Sequence, residues 1–145
     1  MDSLYLVLGL LAVATFAGLV FRATRGRGRE LSGAELVDLE RLPTEKNGVP
    51  TKVLGRSATL IQFSTKYCGQ CPGVRRQLAQ LEYRHGGVSF LEVDVTDRMD
   101  IAAHFKIPQT PTVLVLNSNS QIVYRVGGVP HMNEITQELA KLGVA

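Results

Sequence analysis

From Ser3 to Phe21 the chain carries no charged residue (SLYLVLGLLAVATFAGLVF), and polar positions are limited to Ser, Thr and Tyr. At ~1.5 Å per residue these 19 positions span about 28 Å as a helix, close to the thickness of a bilayer's hydrocarbon core. A soluble core helix would show polar residues at a helical interval, which this run lacks. A cleaved signal peptide would need a basic segment ahead of a shorter apolar run and a small-residue cleavage site. Here the order is reversed: Asp2 precedes the run, and Arg22, Arg25, Arg27 and Arg29 follow it. The positive-inside bias puts the chain after Phe21 in the cytoplasm. The expectation is a single-pass cell-membrane protein, in contact with membrane lipid, whose C-terminal domain faces the cytoplasm.

After the apolar run, RATRGRGR mixes arginine with glycine and suits a flexible tether at anionic headgroups. Ser32-Gly33-Ala34-Glu35 fits a capping box, and Leu36, Leu39 and Leu42 form a short apolar stripe, so a small helix or an irregular arm is expected there. Pro43 through Gly55 (PTEKNGVPTKVLG) is rich in turn residues and reads as a loop. The division that follows is an anchor over 3–21, a basic tether and lead-in arm over 22–50, and a domain over 51–145.

Within that domain the period switches repeatedly. Thr59 to Phe63 (TLIQF) is a short β-type run; Val74, Leu78 and Leu81 then recur at helical spacing, with Arg75, Arg76, Gln77 and Gln80 between them. Gly86-Gly87 ends that helix, and Val88 to Val93 (VSFLEV) makes a second strand. Asp97 can cap a helix through Ile101, Ala102 and Phe105, and Thr112 to Leu116 (TVLVL) follows as a third strand. Asn117 to Ser120 makes a turn into Gln121 to Val126 (QIVYRV), and Ile135, Leu139 and Leu142 mark a closing helix that stops at Gly143. The order β-α-β-α-β-β-α predicts an α/β fold: parallel strands with right-handed crossovers, an antiparallel hairpin at one edge, and helices on both faces of a mixed sheet.

Composition adds three constraints. With 145 residues, 45% hydrophobic and 20% charged, the chain has room for one core. The net charge of +3 is concentrated in the arginines behind the apolar run, which points to a membrane surface and not to nucleic acid. Two cysteines are too few for a disulfide scaffold, and a loop this short would restrain the unfolded chain very little.

Both cysteines lie in Tyr67-Cys68-Gly69-Gln70-Cys71-Pro72 (YCGQCP), a spacing that serves a metal site, a structural clamp or a redox pair. A zinc site needs about four ligands, and His85, His104 and His131 stand at intervals that do not supply them, so no metal is expected. A C-x-x-C at a strand–helix junction inside a βαβ pattern is instead the sequence form of a redox site. Cys68 at a helix N-terminus would be favoured as thiolate, while Cys71, one turn inside, would be buried and keep its proton. Pro72, without an N–H, is tolerated in a first helical turn.

Over roughly Thr51 to Ala145 the chain resembles the thioredoxin family. The resemblance rests on C-x-x-C, on Ile107-Pro108-Gln109-Thr110-Pro111-Thr112 ahead of the third strand, and on the Val126-Gly127-Gly128 turn before the last helix. It implies a thioredoxin-like fold, with a central mixed sheet flanked by helices, preceded here by one transmembrane helix. It also implies a cis peptide at Pro111, which faces Cys68, and pairing of the Thr110 backbone with an extended substrate. Cys68 and Cys71 take the catalytic roles, and Tyr67, Gly69, Gln70, Thr110, Pro111 and Gly127 the substrate contacts.

The chain departs from the family at informative places. Tyr67 and Gln70 stand where tryptophan and proline are usual, and the dipeptide between the cysteines tunes the potential. Gln62, six residues before Cys68, replaces the aspartate that helps deprotonate the second cysteine, and Phe90 aligns with its lysine partner. Losing both together removes the cost of an unpaired buried charge. The function expected is thiol–disulfide exchange that reduces protein disulfides, with electrons from a separate reductase or a low-molecular-weight thiol. No cofactor is expected, since no glycine-rich dinucleotide fingerprint is present, and a monomer is expected. Two alternatives keep the fold: an extracytoplasmic oxidase, isomerase or cytochrome-maturation reductase, and a tethered adaptor with little redox activity.

Overall fold

A computed structural model describes residues 2–31 and 35–144, with the Asp2 side chain excepted. Most of the Ser32-Gly33-Ala34-Glu35 capping box lies outside the described residues.

The apolar run forms α1 (Asp2–Thr24), which extends one turn past Phe21. Ser3–Thr24 is one helix long and apolar enough to cross a membrane, and none of it is covered by the rest of the chain. Its threonines suit an apolar medium, because the Thr15 hydroxyl donates to the Leu11 carbonyl at 2.7 Å and that of Thr24 to Val20 at 3.1 Å.

The remaining elements are β1 (Arg29–Glu30), β2 (Thr44–Lys46), β3 (Val49–Pro50), β4 (Ala58–Ser64), α2 (Cys71–Arg84), β5 (Val88–Asp94), α3 (Met99–His104), β6 (Thr112–Asn117), β7 (Ile122–Gly127) and α4 (Met132–Lys141). They build one seven-stranded sheet in the order β1-β7-β6-β4-β5-β2-β3. Only β4 and β5 pair in parallel, joined by the α2 crossover; the other pairings are antiparallel. The β-α-β-α-β-β-α order expected from Thr59 onward is present, with the expected hairpin formed by β6 and β7, but the strand after α3 is not parallel as the alternation predicted: β6 lies beside β4 and runs antiparallel to it.

The sheet divides two apolar layers by simple alternation. Ile61, Phe63, Leu91, Val93, Leu114 and Leu116 face Ile101 and Phe105 of the α3 region, and Val37, Leu39 and Leu42 close that layer. Leu60, Phe90, Val113, Val115 and Val126 face Val74 and Leu78 of α2 and Ile135 and Leu139 of α4. All seven residues of β4 are buried, as befits a central strand covered on both faces.

Three local expectations are corrected. No helix forms among the described residues between 35 and 43: Leu39 and Leu42 pack into the core while Leu36 bridges Gln121 and stays exposed. The Pro43–Gly55 segment is not all loop. Asn47 and Gly48, with φ of 52° and 75°, turn β2 back into β3, and β2 extends the sheet beside β5. The arginine–glycine run begins inside α1, and its last residue, Arg29, opens β1, which lies antiparallel to β7 through Arg29↔Arg125 and Glu30↔Tyr124. Backbone pairing needs no particular side chains, which is why composition alone reads this run as a tether.

Candidate active site

The end of β4 and the start of α2 bring the two cysteines together. Ser64 leads into Thr65-Lys66-Tyr67, a loop held from the side: the Lys66 amide donates to the Thr96 hydroxyl at 2.9 Å, and the Val95 amide to the Ser64 carbonyl at 2.9 Å. Asp94 anchors Thr96 in turn, accepting from its amide at 2.8 Å. Burial pushes the Asp94 carboxyl up, but the Thr96 hydroxyl and amide and the Lys66 charge outweigh it and hold it below its usual range.

Cys68 and Cys71 are joined in a disulfide across a single turn, with the Cys71 amide donating to the Cys68 carbonyl at 3.4 Å. Cys71 is the first residue of α2, with Gln70 as its N-cap, so Cys68 precedes the helix and Cys71 opens it instead of lying one turn inside. The asymmetry of access follows the expectation: Cys68 is half-buried, Cys71 only 2% exposed. Tyr67, Gly69 and Gln70 are exposed around them, Tyr67 at 89%.

The loop before β6 adjoins the segment that carries the cysteines. The Thr110–Pro111 peptide is cis, and the Thr110 hydroxyl lies 3.4 Å from that of Thr65, linking this loop to the segment that carries the cysteines. The glycine turn rests on the same loop: Gly128, at φ 86°, donates its amide to the Pro111 carbonyl at 2.7 Å, and a Cβ on Gly127 would lie 2.7 Å from Gln109 Nε2. Thr110 is half-buried and Pro111 buried. Beside the cysteines, Gly69, Gln70, Pro72, Arg76 and Val129 line a shallow groove of about 490 Å³.

Beneath Cys71 the arrangement departs from expectation. Gln62 is fully buried and donates from Nε2 to the Cys71 carbonyl at 3.0 Å. Phe90 fills the lysine's place as a buried apolar side chain against α2. Buried charge is nevertheless present, because Glu92, two residues on and so on the same face, is 1% exposed and pairs with Arg75 Nε at 2.7 Å. Sequence reasoning passed over both Glu92 and Arg75. The signals were an acidic residue inside the apolar run VSFLEV and an arginine one helical turn after Cys71.

Among the described residues no three His, Cys, Asp or Glu side chains converge as a metal site. His104 packs edge-on against Phe105, and the His85 amide closes the end of α2 on Leu81.

Comparison with known proteins agrees with this geometry. The family model described as Thioredoxin matches residues 44–141. A thioredoxin from Gallus gallus is 33% identical over 61 residues, covering 42% of this chain and 58% of the relative. A mitochondrial thioredoxin from Mus musculus is 27% identical over 94 residues, covering 62% and 54%. The matches thus span little more than half the length of these relatives. Among solved structures, oxidised mitochondrial thioredoxin 3 from Saccharomyces cerevisiae superposes with a TM-score of 0.51 at 21% identity, over 59% of this chain and 79% of that one. The short form of thioredoxin f from spinach chloroplast gives 0.53 at 21% identity, over 61% and 78%, and shares the fold.

Proposed function

Because the chain belongs to the thioredoxin family, we propose that it is a thiol–disulfide oxidoreductase that reduces disulfides in proteins at the cytoplasmic face of a membrane. The observation that carries this reading is the pairing of a half-buried Cys68 with a buried Cys71 at the strand–helix junction, on a segment whose Thr65 hydroxyl lies 3.4 Å from that of Thr110 in the cis Thr110–Pro111 loop. Cys68 is placed just ahead of the N-terminus of α2, where the helix dipole favours a thiolate. That thiolate attacks one sulfur of a substrate disulfide, a mixed disulfide forms, and the first substrate thiolate leaves. Cys71 then attacks the Cys68 sulfur, the second substrate thiolate leaves, and the Cys68–Cys71 disulfide remains. Two electrons pass to the substrate, and a reductase or a low-molecular-weight thiol restores the dithiol. Tyr67, Gly69, Gln70, Thr110, Pro111 and Gly127 form the surface that receives an extended substrate segment, and the protein acts as a monomer.

The anchor supports substrates close to the bilayer. A Cβ on Gly26, two residues after α1, would lie 2.3 Å from the Val129 carbonyl oxygen, and Val129 also lines the groove beside Gly69 and Gln70. The membrane-facing end of the chain is therefore pinned next to the cysteine turn, and not at the end of a loose linker. The four arginines behind α1 support the cytoplasmic side.

The test is a Cys71→Ser variant of the full chain. It should accumulate mixed disulfides through Cys68 with membrane proteins, and a Cys68→Ser variant should trap none. Partner binding that is unchanged in both variants, without any covalent product, would instead identify a tethered adaptor.

A further inference from the structure

Between the sheet and α2, an otherwise apolar layer holds one polar pair. Gln62 and Glu92 face each other in the parallel register of β4 and β5, at 0% and 1% exposure. Each reaches up to α2 with one atom: Gln62 Nε2 to the Cys71 carbonyl at 3.0 Å, and Glu92 Oε2 to Arg75 Nε at 2.7 Å. Cys71 and Arg75 are four residues apart on that helix and so lie one above the other. The four residues thus form a closed quadrilateral, with Cys71 over Gln62 and Arg75 over Glu92. The other oxygen of each strand residue is left over. Gln62 Oε1 and Glu92 Oε1 are buried with no hydrogen-bond partner among the described residues.

A buried acceptor without a donor costs on the order of 1–3 kcal/mol, more when charged, so two of them on adjacent strands call for a reason. Both atoms are acceptors, and what each lacks among the described residues is a hydrogen-bond donor. The surrounding Leu60, Phe90, Val113 and Leu78 can supply none. The charged groups that face Glu92 are Arg75 on α2 and Glu45, its half-buried register partner on β2; β4 contributes only the neutral Gln62.

We infer that Glu92 is the proton acceptor for Cys71, taking over from the neighbouring strand the role that Gln62 cannot perform. This rests on the disulfide-exchange reading above. As Cys71 attacks the mixed disulfide, its S–H bond breaks and the proton goes to the Glu92 carboxylate. The Cys68–Cys71 bond forms, the bond from Cys68 to the substrate sulfur breaks, and that sulfur leaves with the electron pair as a thiolate. When the pair is reduced again, Glu92 returns the proton to Cys71. Gln62 is a positioning residue that holds the Cys71 backbone beside the carboxylate of its register partner, and Arg75 fixes that carboxylate through its Nε at 2.7 Å.

The experiment uses the reduced full chain in detergent micelles, mixed rapidly with an aromatic disulfide whose thiolate is coloured. Two releases separate the steps: the first follows attack by Cys68, the second resolution by Cys71. In Glu92→Gln the second release should slow relative to the first by about tenfold or more, the lower end of what a positioned base contributes, and should lose the pH dependence shown by the wild type. The exchanged pair Gln62→Glu with Glu92→Gln should recover it, which a purely structural role would not. In the unaltered chain, the Glu92 carboxyl carbon resonance should titrate differently in the dithiol and disulfide states, a readout that needs no variant. A second release with wild-type rate and pH profile in Glu92→Gln, or one Glu92 titration common to both redox states, would overturn the inference. Failure of the disulfide-exchange reading would look different: the wild type itself would give no second release.

Discussion

Gly28 lies flat against the ring of Tyr124, so close that a Cβ at position 28 would be 1.8 Å from Tyr124 Cζ. Only glycine permits this approach, and it presses the segment behind α1 onto β7. Glu134 secures both residues, accepting from the Tyr124 hydroxyl at 2.7 Å and from the Gly28 amide at 3.3 Å. Gly28→Val should therefore lift β1 from the sheet. Trypsin should cut at Arg29 in the variant at least several-fold faster than in the wild type, while the cysteines still react with a small soluble disulfide. Equal cleavage rates would mean that the arm is not held by this contact.

The same latch should respond to pH. The Tyr124 hydroxyl, opposed by partial burial and aided by the Gly28 amide and the nearby His131 and Arg27, holds the Glu134 carboxyl below its ordinary 4.5. A carboxyl lowered on folding stabilises fully above its unfolded value, and that contribution is lost as pH falls through the folded value. Burial first, and then Glu134, raise the Tyr124 phenol above its ordinary 10.0, so its contribution is fully present below pH 10.0 and is lost as pH rises from there through the raised value. Hydrogen exchange at the Leu31 amide, which donates to Val123, should be steady from pH 5 to 9 in relative protection. Protection should drop below about pH 4.5, and this acid-side drop should be absent in Glu134→Gln.

Phe63 anchors the end of β4 that leads into the cysteine loop. It is fully buried at the end of β4 and packs on Phe105 with ring centroids 5.4 Å apart. Phe63→Ala should destabilise the domain by about 3–5 kcal/mol, the usual cost of deleting a core phenylalanine. Chemical denaturation of the full chain in micelles, followed by circular dichroism, checks this. A loss under about 1 kcal/mol would mean that the layer around Phe63 collapses to fill the space.

The cysteine turn was legible because the period changes sharply there, from TLIQF to Val74, Leu78 and Leu81 within a dozen residues. The Thr110–Pro111 loop was legible only through resemblance. The β2–β3 hairpin carried a readable Asn47-Gly48 signal, but its flanks, TEK and VP, are too short and polar to alternate. The docking of Arg29 and Glu30 on β7 left no trace in side-chain pattern, because the backbone makes the pairing. Glu92 was hidden for a different reason. Its significance depends on which residue faces it across β4, and that register appears only when α2 brings the two strands together in parallel.

The central claim, that Cys68 and Cys71 form a reducing pair, is tested most directly by the midpoint potential of the full chain in lipid nanodiscs, titrated in thiol redox buffers. The account predicts a value near the roughly −270 mV of thioredoxin. A value near about −120 mV would make the pair an oxidant and contradict both the direction of electron flow and the cytoplasmic placement.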